Sequence, residues 1–347
     1  MTNGTQNVTK VTKESKNKIR VEFERTDLWE RLKIKYLSLK FLGTVVFVIF
    51  RVVLLLGISY IILYPFITKI AGSFMSPEDF ADVTVRLVAR HPTLDTYKAI
   101  ITENNYFDAL FRTAGVSLIS ALIQMFSCCV IAYGLAKYKF KGNNVIFFCV
   151  IFTMVVPHQI LRSVMTLAFK SFDVGVFNVG IVKLLGGTPA NLLNTYWPMV
   201  ILSMTGLAFK NGLFIFMLRQ FFKNIPDELE ESAYIDGSGI FRTFFQIILP
   251  LSIPMMITVF LFAFSWQWTD NFYVTIFFPS VRDYATFPTI YGIPASFKAY
   301  TEAAGGSLFS SAVKNTVSLM VMAPLIVVYL FCQKFLIQGI ERSGITG

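Results

Sequence analysis

Six apolar runs constrain this chain more than any other feature. They centre on Val53 to Phe66, Val116 to Leu135, Val145 to Met165, Pro198 to Leu218, Leu251 to Phe264 (extended by the aromatic stretch beyond it) and Val317 to Leu336. Each extends to about 20 residues, the length at which a helix rising 1.5 Å per residue crosses roughly 30 Å of hydrocarbon. The expected fold is therefore all-α and integral to a membrane, with six transmembrane helices and both termini on one side. A 54% apolar composition and a mean hydropathy of +0.60 over 347 residues agree, being too apolar for a soluble domain of this length.

Charge supports a membrane and argues against nucleic acid. The net charge is +10, but ten of the 31 Lys and Arg precede residue 41, and the rest are scattered between apolar runs. That is a membrane-flanking bias rather than a continuous basic patch. The N-terminal tail, Lys137, Lys139, Lys141, Arg219, Lys223, Arg242, Lys334 and Arg342 fall on one side of a six-span chain. The positive-inside bias makes that side, and both termini, cytoplasmic. Arg51, a turn inside the first run, is placed to snorkel. The expected organisation is a basic extension over 1–40, a membrane domain over 41–338 and a short tail over 339–347. Within the extension, Trp29, Leu32 and Tyr36 recur at helical spacing among basic residues, as in an interfacial helix, the alternative being a solvated tail with some helix. Outward segments run from about Thr68 to Leu110, Lys170 to Tyr196 and Pro279 to Ser310. Cys128, Cys129, Cys149 and Cys332 lie inside apolar runs without metal-ligand spacing, and read as small core residues. No internal repeat is visible.

Between the fourth and fifth runs lies a charged, glycine-broken stretch, 226–254, PDELEESAYIDGSGIFRTFFQIILPLSIP. Five of the 21 acids (Asp227, Glu228, Glu230, Glu231, Asp236) fall within ten residues of it. Pro226 suits a helix start, and acids in the first turn complement the helix dipole. The helix should stop at Asp236-Gly237-Ser238-Gly239, before an amphipathic stretch from Ile240 to Leu249 that Pro250 ends at the membrane. Small Ser232 and Ala233 beside an exposed Glu231 would let another backbone approach and offer it a charge. On composition alone a solvated loop with helix caps remains the simpler alternative.

The spacing from Glu231 resembles the EAA motif of permease subunits of ABC importers. Glu231, Ser232, Ala233, Asp236, Gly237, Phe244, Leu249, Pro250 and Pro254 stand at matching positions, with Ser232 and Ser238 replacing the usual alanines. MLRQFFKNIPDELEE, IAYGLAKYKFKG, MVVPHQIL and QKFLIQGI are similar to the carbohydrate-uptake subfamily, the group of the maltose permease's smaller subunit; the closing ERSGITG departs from it. The resemblance implies a type I ABC importer permease in a bacterial cell membrane. It also implies that the elbow docks on a cytoplasmic ATPase, with Glu231 as the charged contact and Gly237 as the turn that fixes its shape. Implied partners are a second homologous permease, a dimer of ATP-binding subunits and an extracytoplasmic solute-binding protein. The chain has no G-x-x-x-x-G-K-[ST] loop, so hydrolysis is expected on another polypeptide, with no cofactor held here.

Polar residues inside apolar runs are candidates for a solute pathway. Lys210-Asn211 lies in the fourth run, facing either a water-filled cavity or a partner within the bundle. Gln124 offers hydrogen bonds to a sugar or to a neighbouring helix. Trp266, Gln267, Trp268 and Asp270 combine flat aromatic faces with amides and a carboxylate, which suits a sugar; an interfacial aromatic belt, with Tyr196, Trp197 and Tyr273, is the alternative. His158 beside Pro157 reads as a hydrogen-bonded histidine at a kink rather than a metal ligand. An ion-gradient-driven secondary transporter would favour repeat symmetry and embedded acids, and an intramembrane enzyme a nucleophile with its base. The acids lie overwhelmingly outside the apolar runs, and two histidines, one of them outside the runs, suit an enzyme poorly; the secondary transporter of a small polar solute stays as the alternative.

Overall fold

A computed structural model describes residues 29, 39–173, 175–176, 179–180, 186–208, 210–279, 290–303 and 305–344, with 39–42, 175–176, 179–180 and 337–344 as backbone only. The basic tail, the helix expected around Leu32 and Tyr36, and the last three residues lie outside these; Trp29 is described and exposed. The chain divides into two compact units, residues 1–68 and 69–347. Helix α1 (Leu39–Ser73) accounts for the described part of the first unit apart from Trp29, and its final turn begins the second. From Val46 to Ile70 its apolar side chains, and Arg51, are exposed.

The second unit contains α2 (Pro77–Ala81), α3 (Asp95–Glu103), α4 (Tyr106–Lys137), α5 (Asn143–Val155), α6 (Arg162–Lys170), α7 (Trp197–Met204), α8 (Asn211–Lys223), α9 (Glu228–Ile235), α10 (Ile240–Thr243), α11 (Leu249–Trp268), α12 (Phe272–Phe277), α13 (Lys298–Glu302) and α14 (Gly306–Gly344). Two two-residue strands, β1 (Gly175–Val176) and β2 (Val179–Gly180), pair antiparallel, a small addition to the all-α expectation.

Helix α4 is the hub, with α7, α8 and α11 packed on it and α14 packed on α11. Lipid tails are as apolar as the side chains they would replace, so close packing rather than water exclusion holds such helices together. Small residues make that packing possible: Ala121, Cys128, Cys129 and Ala132 of α4 are fully buried against large ones such as Phe214, Leu218 and Phe222 of α8 and Met255 and Val259 of α11. Cys128 and Cys129 therefore are core residues. Cys149, on an α5 with no buried residue, is exposed, and Cys332 is half-buried, so these two depart from that expectation.

Among the described residues, four helical stretches are long and apolar enough to cross a membrane: Gly43–Ser73, Tyr106–Lys137, Ile240–Trp268 and Gly306–Leu336. The third apolar run is a pair of arms, Asn143–Val155 and His158–Lys170, bent by 96° at Val156-Pro157. Proline holds Val156 in an extended conformation and withholds an N–H, which ends the first arm there. The fourth run is not one helix. Gly206 turns left-handed at φ 75°, and the Leu207 and Ala208 N–H groups close back on the Leu202 carbonyl at 3.0 Å, a Schellman-type end for α7. Lys210, also left-handed at φ 68°, then starts α8.

The fifth run also differs from expectation. Pro250 does not end the preceding helix, because the chain passes from α10 into α11 through a five-residue π turn, Phe244–Ile248, in which the Leu249 N–H reaches the Phe244 carbonyl. The wider turn offers room for the pyrrolidine ring, which in a regular helix collides with the carbonyl four residues back.

At the end of this unit opposite the elbow, two of the segments expected to face outward tie together. The Asn104 side-chain amide donates to the Ile290 and Gly292 carbonyls, both at 2.8 Å, and Glu103 accepts from the Ser296 N–H at 3.1 Å.

Candidate functional site

Two places gather the residues singled out above: the elbow and a cavity. The elbow begins where α8 ends, at Asn224-Ile225-Pro226. The Asp227 carbonyl accepts from the Glu230 and Glu231 N–H groups at 3.0 Å, opening the two-turn helix α9. It closes on Gly237, at φ 81°: the Ser238 N–H bonds the Ala233 carbonyl at 2.9 Å and the Gly237 N–H bonds the Tyr234 carbonyl at 3.0 Å. This is the full Schellman pair, and it reverses the chain toward α10. Glu231, Ser232, Asp236 and Gly237 are exposed, beside the uncovered apolar side chains of Ile235, Ile240 and Phe241. Ala233 does not join that outer face: it is buried, pointing inward, because it lies about a third of a turn round the helix from Ser232. Leu249 is half-buried and Pro250 exposed, beyond the π turn.

The anchor of the elbow was not legible in the sequence. Lys137, the last residue of α4, has a side chain only 6% exposed. Its ammonium donates to the Ile225 carbonyl at 2.7 Å and to Asp227 Oδ1 at 2.6 Å, and lies 3.5 Å from Glu230 Oε1. Tyr133, one turn earlier on α4, donates to Glu230 Oε2 at 3.4 Å. The hydrogen bond and positive charge of Lys137 hold the Asp227 carboxyl below the ordinary carboxylate range. Arg219 of α8 is buried alongside, donating to the Leu135 carbonyl at 3.2 Å with its guanidinium 3.7 Å from the Phe147 ring centre.

The cavity, of about 260 Å³, lies where α4, the α7–α8 break and the α11–α12 junction meet; Gln124, His158, Lys210, Trp266, Gln267 and Asp270 line it. A second cavity of about 570 Å³ shares His158 and Lys210 with it. Five polar or aromatic residues picked from scattered runs thus converge on one space. Gln124, Lys210, Trp266 and Asp270 are each oriented by a neighbour. Gln124 donates to Ser203 Oγ on α7 at 3.3 Å. The Lys210 ammonium stands 4.7 Å from the centre of the Trp266 ring, which itself stacks on Phe214. Asp270 accepts from the Phe272 N–H at 3.3 Å and the Tyr273 N–H at 3.0 Å, capping α12. His158, which the sequence placed at a kink, stands at the bend edge-on to Phe272.

Two candidates do not line this cavity. Trp268 turns away, donating from its indole to the Val321 carbonyl of α14 at 2.9 Å, so it packs helices together. Asn211 is fully buried beneath the start of α8, with neither amide atom hydrogen-bonded among the described residues. Its neighbour Gly212 sets the approach of α8 to α5: a Cβ there would meet Thr153 Oγ1 at 2.5 Å and the Val150 carbonyl at 2.8 Å. Gly212→Ala is therefore expected to cost about 1–3 kcal/mol by overpacking, read as a lowered unfolding temperature of the detergent-purified protein. An unchanged transition would show that this approach is loose.

Long apolar helices, two broken apolar runs and a glycine-closed polar elbow at one end define a multi-pass membrane protein. The chain belongs to the family of binding-protein-dependent transport system inner membrane components, whose model matches residues 129–342. It is 29% identical over 301 residues to the polygalacturonan/rhamnogalacturonan transport system permease protein YtcP of Bacillus subtilis (strain 168), covering 84% of this chain and 96% of that one. To the arabinooligosaccharides transport system permease protein AraQ of the same organism it is 25% identical, over 87% of this chain and 98% of that one. Its fold is shared by a solved bacterial ABC transporter involved in import of the acidic polysaccharide alginate. The TM-score is 0.60 at 21% identity, over 84% of this chain and 97% of that one.

Proposed function

We propose that this chain is one of two permease subunits of an ATP-driven importer that takes up an oligosaccharide delivered by an extracytoplasmic solute-binding protein. The chain crosses the membrane six times, the bent third run and the broken fourth run each counting as a crossing, and both termini are cytoplasmic. ATP is hydrolysed by a separate pair of subunits that receive the elbow. The observation that carries this reading is the elbow itself: an exposed Glu231 and Ser232 beside bare Ile235 and Phe241, on a helix fixed by Gly237. Such a surface offers one charge and an apolar contact to a groove. Sugar as cargo is supported by the named substrates of the relatives. Gln124, Lys210, Trp266, Gln267 and Asp270 form this subunit's part of the solute path. The ion-gradient alternative is not favoured, since family membership gives the chain a binding-protein-dependent system.

Glu231→Arg tests the docking role. Reversing the charge on the exposed face is expected to lose most of the ATPase that co-purifies with the membrane complex, with uptake falling at least tenfold while the permease still inserts. Retention of both ATPase and uptake would falsify it.

A further inference from the structure

We propose that Lys210 receives a carboxylate of the solute, so that the oligosaccharide carried is acidic, bearing uronate units, rather than neutral. This deepens the sugar-import reading and rests on it; the named substrates of the relatives include both kinds and do not decide.

Depth comes first. Helix α7 has 8 residues and α8 has 13, which at 1.5 Å per residue are about 12 and 20 Å long. Lys210, at the break between them, stands inside the fourth crossing, about 12 Å from its nearer end, and a four-carbon stem does not span that distance. The cation is also unbalanced. Among the described residues Lys210 makes no ion pair and no hydrogen bond, and its ammonium rests only over the Trp266 ring at 4.7 Å. A cation–π contact offsets part of the cost of a charge at this depth, and an anion would offset far more. Lys210 also sits at the positive end of α8, which adds to the pull on an anion.

The acid that shares the cavity does not neutralise it. Both Asp270 oxygens are engaged by the Phe272 and Tyr273 N–H groups, and no Lys210–Asp270 ion pair forms. The cavity therefore has a cationic pole at Lys210 and an acceptor pole at Asp270. Gln124 and Gln267, also lining it, are suited to hydroxyls. Uronate rings carry that combination: one carboxylate among several hydroxyls. Trp266 acts as the rest on which the ammonium is parked until the solute arrives.

The test uses the complete importer, with both permeases, its ATPase and its binding protein, in liposomes, and compares uptake of labelled trigalacturonate with neutral galactotriose. Wild type is expected to favour the acidic trisaccharide at least tenfold. Lys210→Met and Lys210→Gln should lose at least tenfold of that uptake through a raised KM, while Lys210→Arg stays within about threefold. Each variant is scored in assembled complexes matched to wild type for subunit content, and the Gln variant serves where Met does not assemble. Preference for the neutral sugar, or acidic uptake indifferent to Lys210→Gln, overturns the proposal and leaves sugar import standing. Uptake of neither sugar, with another solute imported instead, removes the sugar-import reading and this inference with it.

Discussion

Lys137→Met is expected to cut uptake at least tenfold while ATP hydrolysis by the assembled complex continues. The reason is the load this one ammonium carries. It is buried at the end of α4, bonded to the Ile225 carbonyl and to Asp227, with Glu230 at 3.5 Å. Methionine fills the space of the stem but leaves the Glu230 carboxylate, on a side chain 11% exposed, without its cation. Stranding one member of a buried pair costs about 3–5 kcal/mol, and the Ile225 carbonyl loses a partner as well. The elbow would then move without drawing α4 along, which separates hydrolysis from transport. A double variant, Lys137→Met with Glu230→Gln, removes the stranded charge. It is expected to recover most of the lost thermal stability but not the uptake, because the tie between elbow and hub stays cut. If Lys137→Met imports solute at the wild-type rate, the tie has no mechanical role.

That anchor shows where sequence reasoning stops. Lys137 was one of several basic residues counted for membrane orientation, and nothing near it signals a partner 90 residues later. Tertiary pairing of this kind has no local pattern. By contrast, Pro157 announces its own break, since a missing N–H and a restricted preceding residue are properties of the residue itself. Gly206 does not: a single glycine inside an apolar run is compatible with an unbroken helix, so the split of the fourth run came only with the structure. Polarity inside apolar runs found Gln124, Lys210, Trp266, Gln267 and Asp270, which line one cavity, but it could not tell which face of a helix each occupies. Hence Trp268, two positions from Trp266, packs on α14 instead, and Asn211, next to Lys210, lies in the core. Pro250 misled in the other direction, because a π turn lets a helix pass a proline that would otherwise stop it.

Gly237 makes a prediction in which the order of variants matters more than any one of them. A Cβ there would meet no atom within 4 Å, so a first side-chain carbon crowds nothing. What glycine supplies is the backbone angle, φ 81°, which the paired bonds to Ala233 and Tyr234 require. An L-residue with a Cβ pays about 1–2 kcal/mol to hold a left-handed conformation, a β-branched one more, and asparagine least. Uptake is therefore expected to fall in the order Gly, Asn, Ala, Val, with Gly237→Asn keeping a large share of activity and Gly237→Val losing at least tenfold. Protein levels in the membrane should stay level, since the turn lies outside the helix core. If steric contact governed instead, Ala would be milder than the larger Asn. Should Gly237→Val keep wild-type uptake, the left-handed turn is dispensable and the shape of the elbow is not what couples it to a motor.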